Sequence, residues 1–495
     1  MSYALVMAPT SLLILLAGCR GEPPAPTPLD SGTVQAPAGP HEVFVHLFEW
    51  PWASVARECE EVLGPAGVGG VQVSPPQEYR LIDGSPWWER YQPVSYDLIG
   101  RSGDEAAFAD MVARCADAGV AIYVDAVLNH MAWANADEGY QAVGYAGTAF
   151  ARYDFPGLYG DAHFHGCRRG IEDWGSRWEI QECELATLPD LATEHREVRV
   201  ALHGYLAKLV DLGVAGFRVD AAKHMPAEDI AAVLNGLDGA PFVFQEVIYT
   251  GAHEPVQASE YFANGRVTEF RYGEALSSVF REGQLAWLVE FGEPWGFLES
   301  DHALVFVDNH DSQRGHVMGD PLTFADGGLY RLANAFMLAW PYGRPKLMSS
   351  YAFADADVGP PMEGDRVTPV HDASGACVAP WQCEHRWTSI LGMVAFHDAT
   401  ADAPWVERWW DNGNDQIAFA RGDLGFIVIN REELPTLSRV FDAGLPAGTY
   451  CDAMTGGRVD GACAGVSVEV DDAGMAEITV GPLDAVALHV GARLE

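Results

Sequence analysis

A chain of 495 residues with 48% hydrophobic and 20% charged content is long enough for a large domain plus a smaller one, and its balance is that of a folded globular protein rather than a disordered one. Its formal charge of −40, with Lys208, Lys223 and Lys346 as the only lysines, argues against a nucleic-acid partner, because phosphate backbones reward basic patches and repel carboxylates. The acidic excess reads as a solvated surface that keeps the protein soluble, in salty surroundings included.

Leu12 to Ala17 is an apolar run too short to span a membrane, and it ends in Leu16-Ala17-Gly18-Cys19. Small residues followed by Cys suit signal-peptidase cleavage and resemble the lipobox of bacterial lipoproteins, although no Lys or Arg precedes the run. Residues 1–19 therefore predict an export signal, with Cys19 as a lipid-anchored first residue of an extracellular or cell-envelope protein. Residues 20–40 are rich in Pro, Gly and Ala without hydrophobic periodicity and predict an extended tether. Eight further cysteines remain: Cys59, Cys115, Cys167, Cys183, Cys377, Cys383, Cys451 and Cys463. An even number in an exported chain favours disulfides, no C-x-x-C pair suggests zinc, and composition leaves the pairing open.

From residue 41 onward, short β-branched apolar runs alternate with helical patterns. The runs are Val43 to Phe48, Val68 to Val73, Ala121 to Val127, Val214 to Val219, Phe242 to Val247, Val267 to Phe270, Leu304 to Val307 and Pro345 to Met348. An amphipathic stretch, Trp52 to Leu63, follows the first. Strands buried on both faces and separated by helices imply parallel pairing, and eight of them fit a (β/α)8 TIM barrel. The stretch between the third and fourth runs is far longer than a βα connection needs, so 130–190 predicts an inserted small domain B. That leaves 41–129 and 191–404 for the catalytic barrel, domain A. Beyond 405 the texture changes to short strands set off by Gly and Asp: Gln416 to Arg421, Gly425 to Asn430, Gly448 to Cys451, Val466 to Val470 and Ala476 to Val480. Residues 405–495 thus predict an antiparallel β-sandwich, domain C.

Catalysis in such barrels belongs to the carboxyl ends of the strands. The third run ends Asp125-Ala126-Val127-Leu128-Asn129-His130. The fourth ends Arg218-Val219-Asp220, followed by Lys223-His224. The fifth ends Gln245-Glu246, and the seventh Asp308-Asn309-His310-Asp311. Asp220, Glu246 and Asp311 thus terminate separate strands. One such carboxylate alone is more often a helix cap or turn residue. Several together, mixed with His, Arg and Asn, would repel one another at a cost unless chemistry required them. Glycoside hydrolysis requires such a set: a nucleophile, and an acid to protonate the leaving oxygen.

DAVLNH, GFRVDAAKH, FQEV and FVDNHD resemble the motif regions of the α-amylase family, glycoside hydrolase family 13. HLFEW, GGVQVSPP, WWERYQPVSY, VTEFRYG and WWDNG are similar to its animal-type, chloride-dependent branch, and the match runs from about residue 41 to the C-terminus. The resemblance implies a retaining α-amylase that cuts internal α-1,4 bonds in starch- and glycogen-type glucans, acting as a monomer. It assigns Asp220 as nucleophile, Glu246 as general acid/base and Asp311 as the third carboxylate. His130, His224 and His310 match substrate-binding positions, as do Gln92 and Lys223. Arg218 lies two residues before Asp220 on the same strand, and its charge would favour the ionised form of the nucleophile. Trp87, Trp88 and Tyr91 match the aromatic wall that stacks on sugar rings, and the adjacent Glu89 and Arg90 point to a cleft edge.

Two ions follow from the same likeness. Calcium would be held by the side chains of Asn129 and Asp190 and the backbone oxygens of Gln181 and His224, a hard oxygen set. Chloride would sit among Arg218, Asn309 and Lys346. Lysine at 346, where the family often has Arg, keeps the charge without the bidentate fork and predicts weaker anion binding. An anion near Glu246 disfavours its ionisation and so keeps it an acid. The cysteines pair by resemblance as Cys59–Cys115, Cys167–Cys183, Cys377–Cys383 and Cys451–Cys463. One disulfide of the animal enzymes has no counterpart, the insertion is trimmed, and the segment from Gln313 to Gly319 is shorter and less Gly-rich than their mobile loop. Three other readings compete: a transglycosylating enzyme or a maltose-releasing enzyme of the same family, and a non-catalytic surface protein that binds glucans. The intact carboxylate triad weighs against the last.

Overall fold

The computed structural model describes residues 42–494 except 136–138 and 318. The signal, lipobox and tether expected over 1–40 lie outside the described residues. Among those described, no helix is long and apolar enough to cross a membrane.

Eight parallel strands close a barrel: β1 (Phe44–Leu47), β2 (Gly70–Val73), β3 (Ala121–Ala126), β4 (Gly216–Val219), β5 (Phe242–Gln245), β6 (Arg266–Thr268), β7 (Ala303–Val305) and β8 (Arg344–Ser349). Each pairs with its sequence neighbours and β8 returns to β1, with Phe44 opposite Lys346. The expected runs are therefore all present, with ends that differ by one or two residues, β6 and β7 starting a residue early and β8 longer at both ends. The outer helices begin with α1 (Trp52–Glu58), which continues as a π-helical turn over Cys59–Leu63, and α2 (Glu105–Asp117). Asp104 starts α2 by accepting the Ala107 N–H at 2.9 Å, an N-cap that satisfies one otherwise orphan donor. The disulfide Cys59–Cys115 then ties the π-turn to α2.

The barrel interior changes character along its length. Phe44, Tyr123, Phe244, Leu304 and Phe306 form an aromatic plug. Gly70 and Gly216 make room for it: a Cβ on Gly70 would lie 2.4 Å from the Tyr123 ring, and one on Gly216 would lie 3.0 Å from that ring. Towards the carboxyl ends the filling becomes polar, with Gln72, Asp125, Arg218 and Lys346 all buried. Lys346 spans both layers, its Nζ 5.0 Å from the Phe306 ring and 3.1 Å from the Gln72 Oε1 that accepts its proton. A buried polar layer costs desolvation unless its members pair, so this end of the barrel is built for something besides stability.

Between β3 and β4 the chain makes an excursion of short strand pairs and turns, including a helix, α3 (Arg177–Glu182), and the disulfide Cys167–Cys183. It returns through an isolated bridge between His130 and Asp190. After the barrel, eight strands form two four-stranded sheets. The first joins Glu407–Asp411, Gln416–Arg421, Gly425–Asn430 and Asp484–His489; the second joins Leu437–Asp442, Gly448–Cys451, Ser467–Val470 and Met475–Val480. In the first sheet Ile417, Phe419, Ile427 and Ile429 belong to the core of the barrel side, whereas Ala418, Ala420, Phe426 and Val428 belong to the core between the sheets. Successive side chains point to opposite faces, so these strands read as unbroken apolar runs because both faces are covered. Cys377–Cys383 and Cys451–Cys463 complete the four disulfides.

Candidate active site

The strand register delivers the carboxylates to one level. Arg218 stands opposite Asp125 on β3, and the Asp220 and Glu246 N–H groups donate to the Ala126 and Val219 carbonyls, 3.0 Å in each case. Both side chains therefore leave adjacent strands just past their ends. Arg218, 2% exposed, collects them: Nη1 donates to Asp220 Oδ1 at 2.8 Å and to Asp125 Oδ1 at 2.6 Å, while Nη2 donates to Glu246. The other Glu246 oxygen accepts the Ala221 N–H at 2.9 Å. Ala221 takes a left-handed φ of +48° to aim that N–H, a conformation that costs a non-glycine residue about 1 kcal/mol or more. Asp125 also accepts from the Tyr91 hydroxyl at 2.9 Å and from Gln72 Nε2 at 3.2 Å.

Three carboxyl groups thus share one guanidinium, with Asp311 a fourth close enough to feel their charge, and they cannot all ionise. Burial, together with repulsion from Glu246 and Asp125, raises Asp220 well above the ordinary carboxylate range despite Arg218. Arg218 pulls towards the ionised form, as its place on the strand implies, but burial and the neighbouring carboxyl groups outweigh it in the free protein. Asp311 is pushed up to about 7 by burial and then by Glu246. The cluster consequently keeps a proton near neutrality, which acid catalysis needs.

Asp220, Glu246 and Asp311 open onto a cleft of about 730 Å3 that Trp87, Trp88, Tyr91, Gln92, His130 and His310 also line. His310 lies between the rings of Tyr91 and Phe48, at 5.4 and 5.1 Å, with Nε2 3.3 Å from Asp311. His130 donates through Nε2 to the Tyr91 carbonyl at 2.9 Å, and burial lowers it to about 4, so it is neutral. Lys223 and His224 are not among the cleft-lining residues. Lys223 is tied to Glu254 and the Ile248 carbonyl, and His224 Nδ1 donates to the Ile180 carbonyl at 2.9 Å. Arg218 lies beneath the carboxylates rather than in the wall.

Trp87 to Tyr91 is a 3₁₀ turn. Glu89 and Arg90 do not mark a cleft edge: each is 2% exposed, Glu89 paired with Arg101 at 2.5 Å and Arg90 with Glu49 at 2.9 Å. They point backwards and anchor the turn, so that its aromatic residues face the cleft. Sequence reasoning also passes over other wall residues: Arg80, Trp133, Leu185 to Leu188, and His316. These sit on loops without periodicity. Asp125 is different, because its place opposite Arg218 at the start of DAVLNH was a usable signal.

The residues expected to hold calcium gather where the excursion rejoins the barrel. Asn129 Nδ2 donates to Asp190 Oδ1 at 3.1 Å, and His224 abuts the Ile180–Gln181 backbone. Asp190 is buried and burial raises it to about 7, with His165 Nδ1 2.6 Å away as its counter-charge. A buried carboxylate beside an amide that can turn its oxygen inward, near main-chain carbonyls, fits a hard cation. The anion residues fit as well. Burial, then repulsion from Arg218, lowers Lys346 to about 7. Asn309 is braced by Ser312, whose N–H donates to Oδ1 at 2.7 Å. An anion would relieve the repulsion between these two buried cations, in competition with the three carboxyl groups already on Arg218.

Known proteins carry the same arrangement of sequence and fold. Residues 87–240 match the α-amylase catalytic domain and 409–491 the α-amylase C-terminal all-β domain. An alpha-amylase-related protein of Drosophila ananassae is 47% identical over 92% of this chain and 95% of its own, and that of Drosophila dossoui is 48% identical over 92% and 94%. The chain belongs to the α-amylase family. Alpha-amylase I of the earthworm Eisenia fetida superposes with a TM-score of 0.84 at 40% identity, covering 92% of this chain and 99% of the earthworm enzyme. A Glu-to-Gln variant of that enzyme, solved with maltohexaose, matches equally well. Membership of the α-amylase family accounts for the barrel, the excursion after β3 and the C-terminal sheets together.

Proposed function

We propose that the chain is an exported, retaining α-amylase that hydrolyses internal α-1,4 bonds of starch-type glucans. The observation that carries this reading is Asp220 and Glu246 held on one guanidinium, facing a cleft walled by Trp87, Trp88 and Tyr91. A shared guanidinium favours the close carboxyl spacing of retaining enzymes, about 5–5.5 Å, over the wider spacing of inverting ones.

In the first displacement Asp220 attacks the anomeric carbon while Glu246 protonates the departing glycosidic oxygen, leaving a glycosyl ester on Asp220. In the second, Glu246 takes a proton from water, which attacks the same carbon and releases Asp220. The positive charge developing on the sugar, together with Arg218, favours the ionised form of Asp220 as the glycosidic bond breaks. Asp311 and His310, 3.3 Å apart at the cleft, would hold the sugar's hydroxyls. Asn129, Asp190 and the carbonyls of Gln181 and His224 would hold calcium, which supplies structural cross-linking of the excursion to the barrel. Arg218, Asn309 and Lys346 would hold chloride, whose negative charge would favour the acid form of Glu246.

The test is reducing-end release from soluble starch by the mature protein, in chloride-free buffer with calcium, titrating chloride at fixed ionic strength. Saturable activation with initial products in the α-configuration is expected. Full activity without chloride would remove the anion from the proposal and leave the enzyme. No hydrolysis at any chloride concentration would overturn the enzyme reading.

A further inference from the structure

We infer that Arg80 and Trp133, both braced on Gln92, form an additional glucosyl-binding subsite of the cleft; the inference rests on the α-glucan reading above. Both residues line the cleft and both are only half-buried. Their geometry is fixed around Gln92. The Arg80 N–H donates to the Gln92 carbonyl at 3.0 Å, and the Trp133 N–H donates to Gln92 Oε1 at 3.1 Å. Arg80 Nη1 donates to the Trp133 carbonyl at 2.6 Å, which holds its guanidinium 4.9 Å from the indole centroid.

Packing does not explain this indole. Among the described residues Trp87 is part of the hydrophobic core and Trp88 packs against it, whereas Trp133 does neither. A Trp kept out of the core yet locked in place by its neighbours is apolar surface presented to the cleft. Pyranose rings offer an apolar C–H face bordered by hydroxyls, so an indole for the face and a guanidinium for the hydroxyls are complementary to one glucosyl unit. The three hydrogen bonds restrain the Arg80 side chain and the backbone of both residues, and the guanidinium lies 4.9 Å from the indole, so less ordering remains to be done when the sugar arrives. Arg80 and Trp133 are braced on Gln92 and on each other. Only glucans long enough to fill both the reacting site and this one therefore gain from it, so it sets chain-length preference rather than chemistry.

The experiment compares kcat/KM for a chromogenic maltohexaoside and a chromogenic maltotrioside. For Trp133→Ala the hexaoside-to-trioside ratio is expected to fall about tenfold, equivalent to about 1.4 kcal/mol, mainly through the KM for the hexaoside. Trp133→Phe, which keeps a ring, is expected to stay within threefold of wild type. Should Trp133→Ala not fold, Arg80→Met is measured instead, with an expected threefold fall in the ratio. An unchanged ratio, or equal losses on both substrates, would overturn the subsite. A wild-type protein that cleaves neither glycoside fails the enzyme reading instead. The subsite is then judged by maltohexaose binding, where Trp133→Ala must weaken Kd about tenfold and an unchanged Kd overturns it.

Discussion

At the floor of the cleft, Asp220 and Glu246 each sit one residue past the end of a barrel strand, held in register by main-chain bonds to the next strand. The walls are made differently. Trp87 to Tyr91 rides on a 3₁₀ turn anchored by buried ion pairs, Trp133 and Leu185 to Leu188 come from the excursion, and His316 comes from a loop after β7. The floor is rigid because strands are rigid; the walls are rigid only where particular side chains brace them. Chemistry therefore belongs to the floor and substrate length to the walls, a division that substitutions can break or sharpen.

The floor should show the larger effects. Glu246→Gln removes the proton donor with almost no change of shape, and kcat on starch is expected to fall at least about 10³-fold with the circular dichroism spectrum intact. A loss below tenfold would move the acid role elsewhere. Arg218→Gln should damage the fold as well as the activity, because it leaves Asp125, Asp220 and Glu246 buried without their shared cation. The expected loss of stability is about 3–5 kcal/mol, read by denaturant unfolding; a loss under 1 kcal/mol would mean that the carboxyls neutralise one another by proton sharing.

The anion residues join floor to barrel interior, and they give a pH test. Chloride would bind Lys346 in its charged form, and this lysine is lowered to about 7. Raising the pH through 7 removes that charge from the free protein, so the apparent Kd for chloride should rise about tenfold per pH unit above it. Lys346→Arg stays charged throughout and should flatten the dependence. A Kd that rises equally in both proteins would place the titrating group elsewhere. The same depressed value works against stability below about 10: the unfolded lysine takes up a proton that the folded one refuses, so stability from this residue grows from pH 7 towards 10.5.

Legibility in the sequence follows the same division. Strand ends carry their chemistry in short fixed strings, so the eight barrel strands and Asp220, Glu246 and Asp311 can be found without coordinates. In the C-terminal sheets the apolar runs Gln416–Arg421 and Gly425–Asn430 are equally plain. Three strands are not: Glu407–Asp411, Leu437–Asp442 and Asp484–His489. Leu437–Asp442 buries only Leu437 and Phe441, without the alternation that marks a strand. Wall residues escape for a related reason. Glu89 and Arg90 look like surface charges, and only the positions of Arg101 and Glu49, supplied by the fold, show that they are internal braces.

The smallest expected effect tests how a wall is braced. Thr187, on the excursion side of the cleft, takes a left-handed φ of +66°, and Ala186 before it +50°. A β-branched residue is seldom found there, since its Cβ crowds the backbone, at a cost of about 1–3 kcal/mol. Its carbonyl accepts from Arg152 Nη2 at 3.4 Å, a bond that any residue type retains, and its side chain is exposed. Thr187→Gly should relieve the strain but gives back about 0.4–1 kcal/mol through the freer unfolded chain. The net expectation is a gain of about 1 kcal/mol, measured by denaturant unfolding. If the variant is instead less stable, the threonine side chain contributes more than its backbone strain costs, and this wall is braced by packing as the Trp87 to Tyr91 turn is braced by charge.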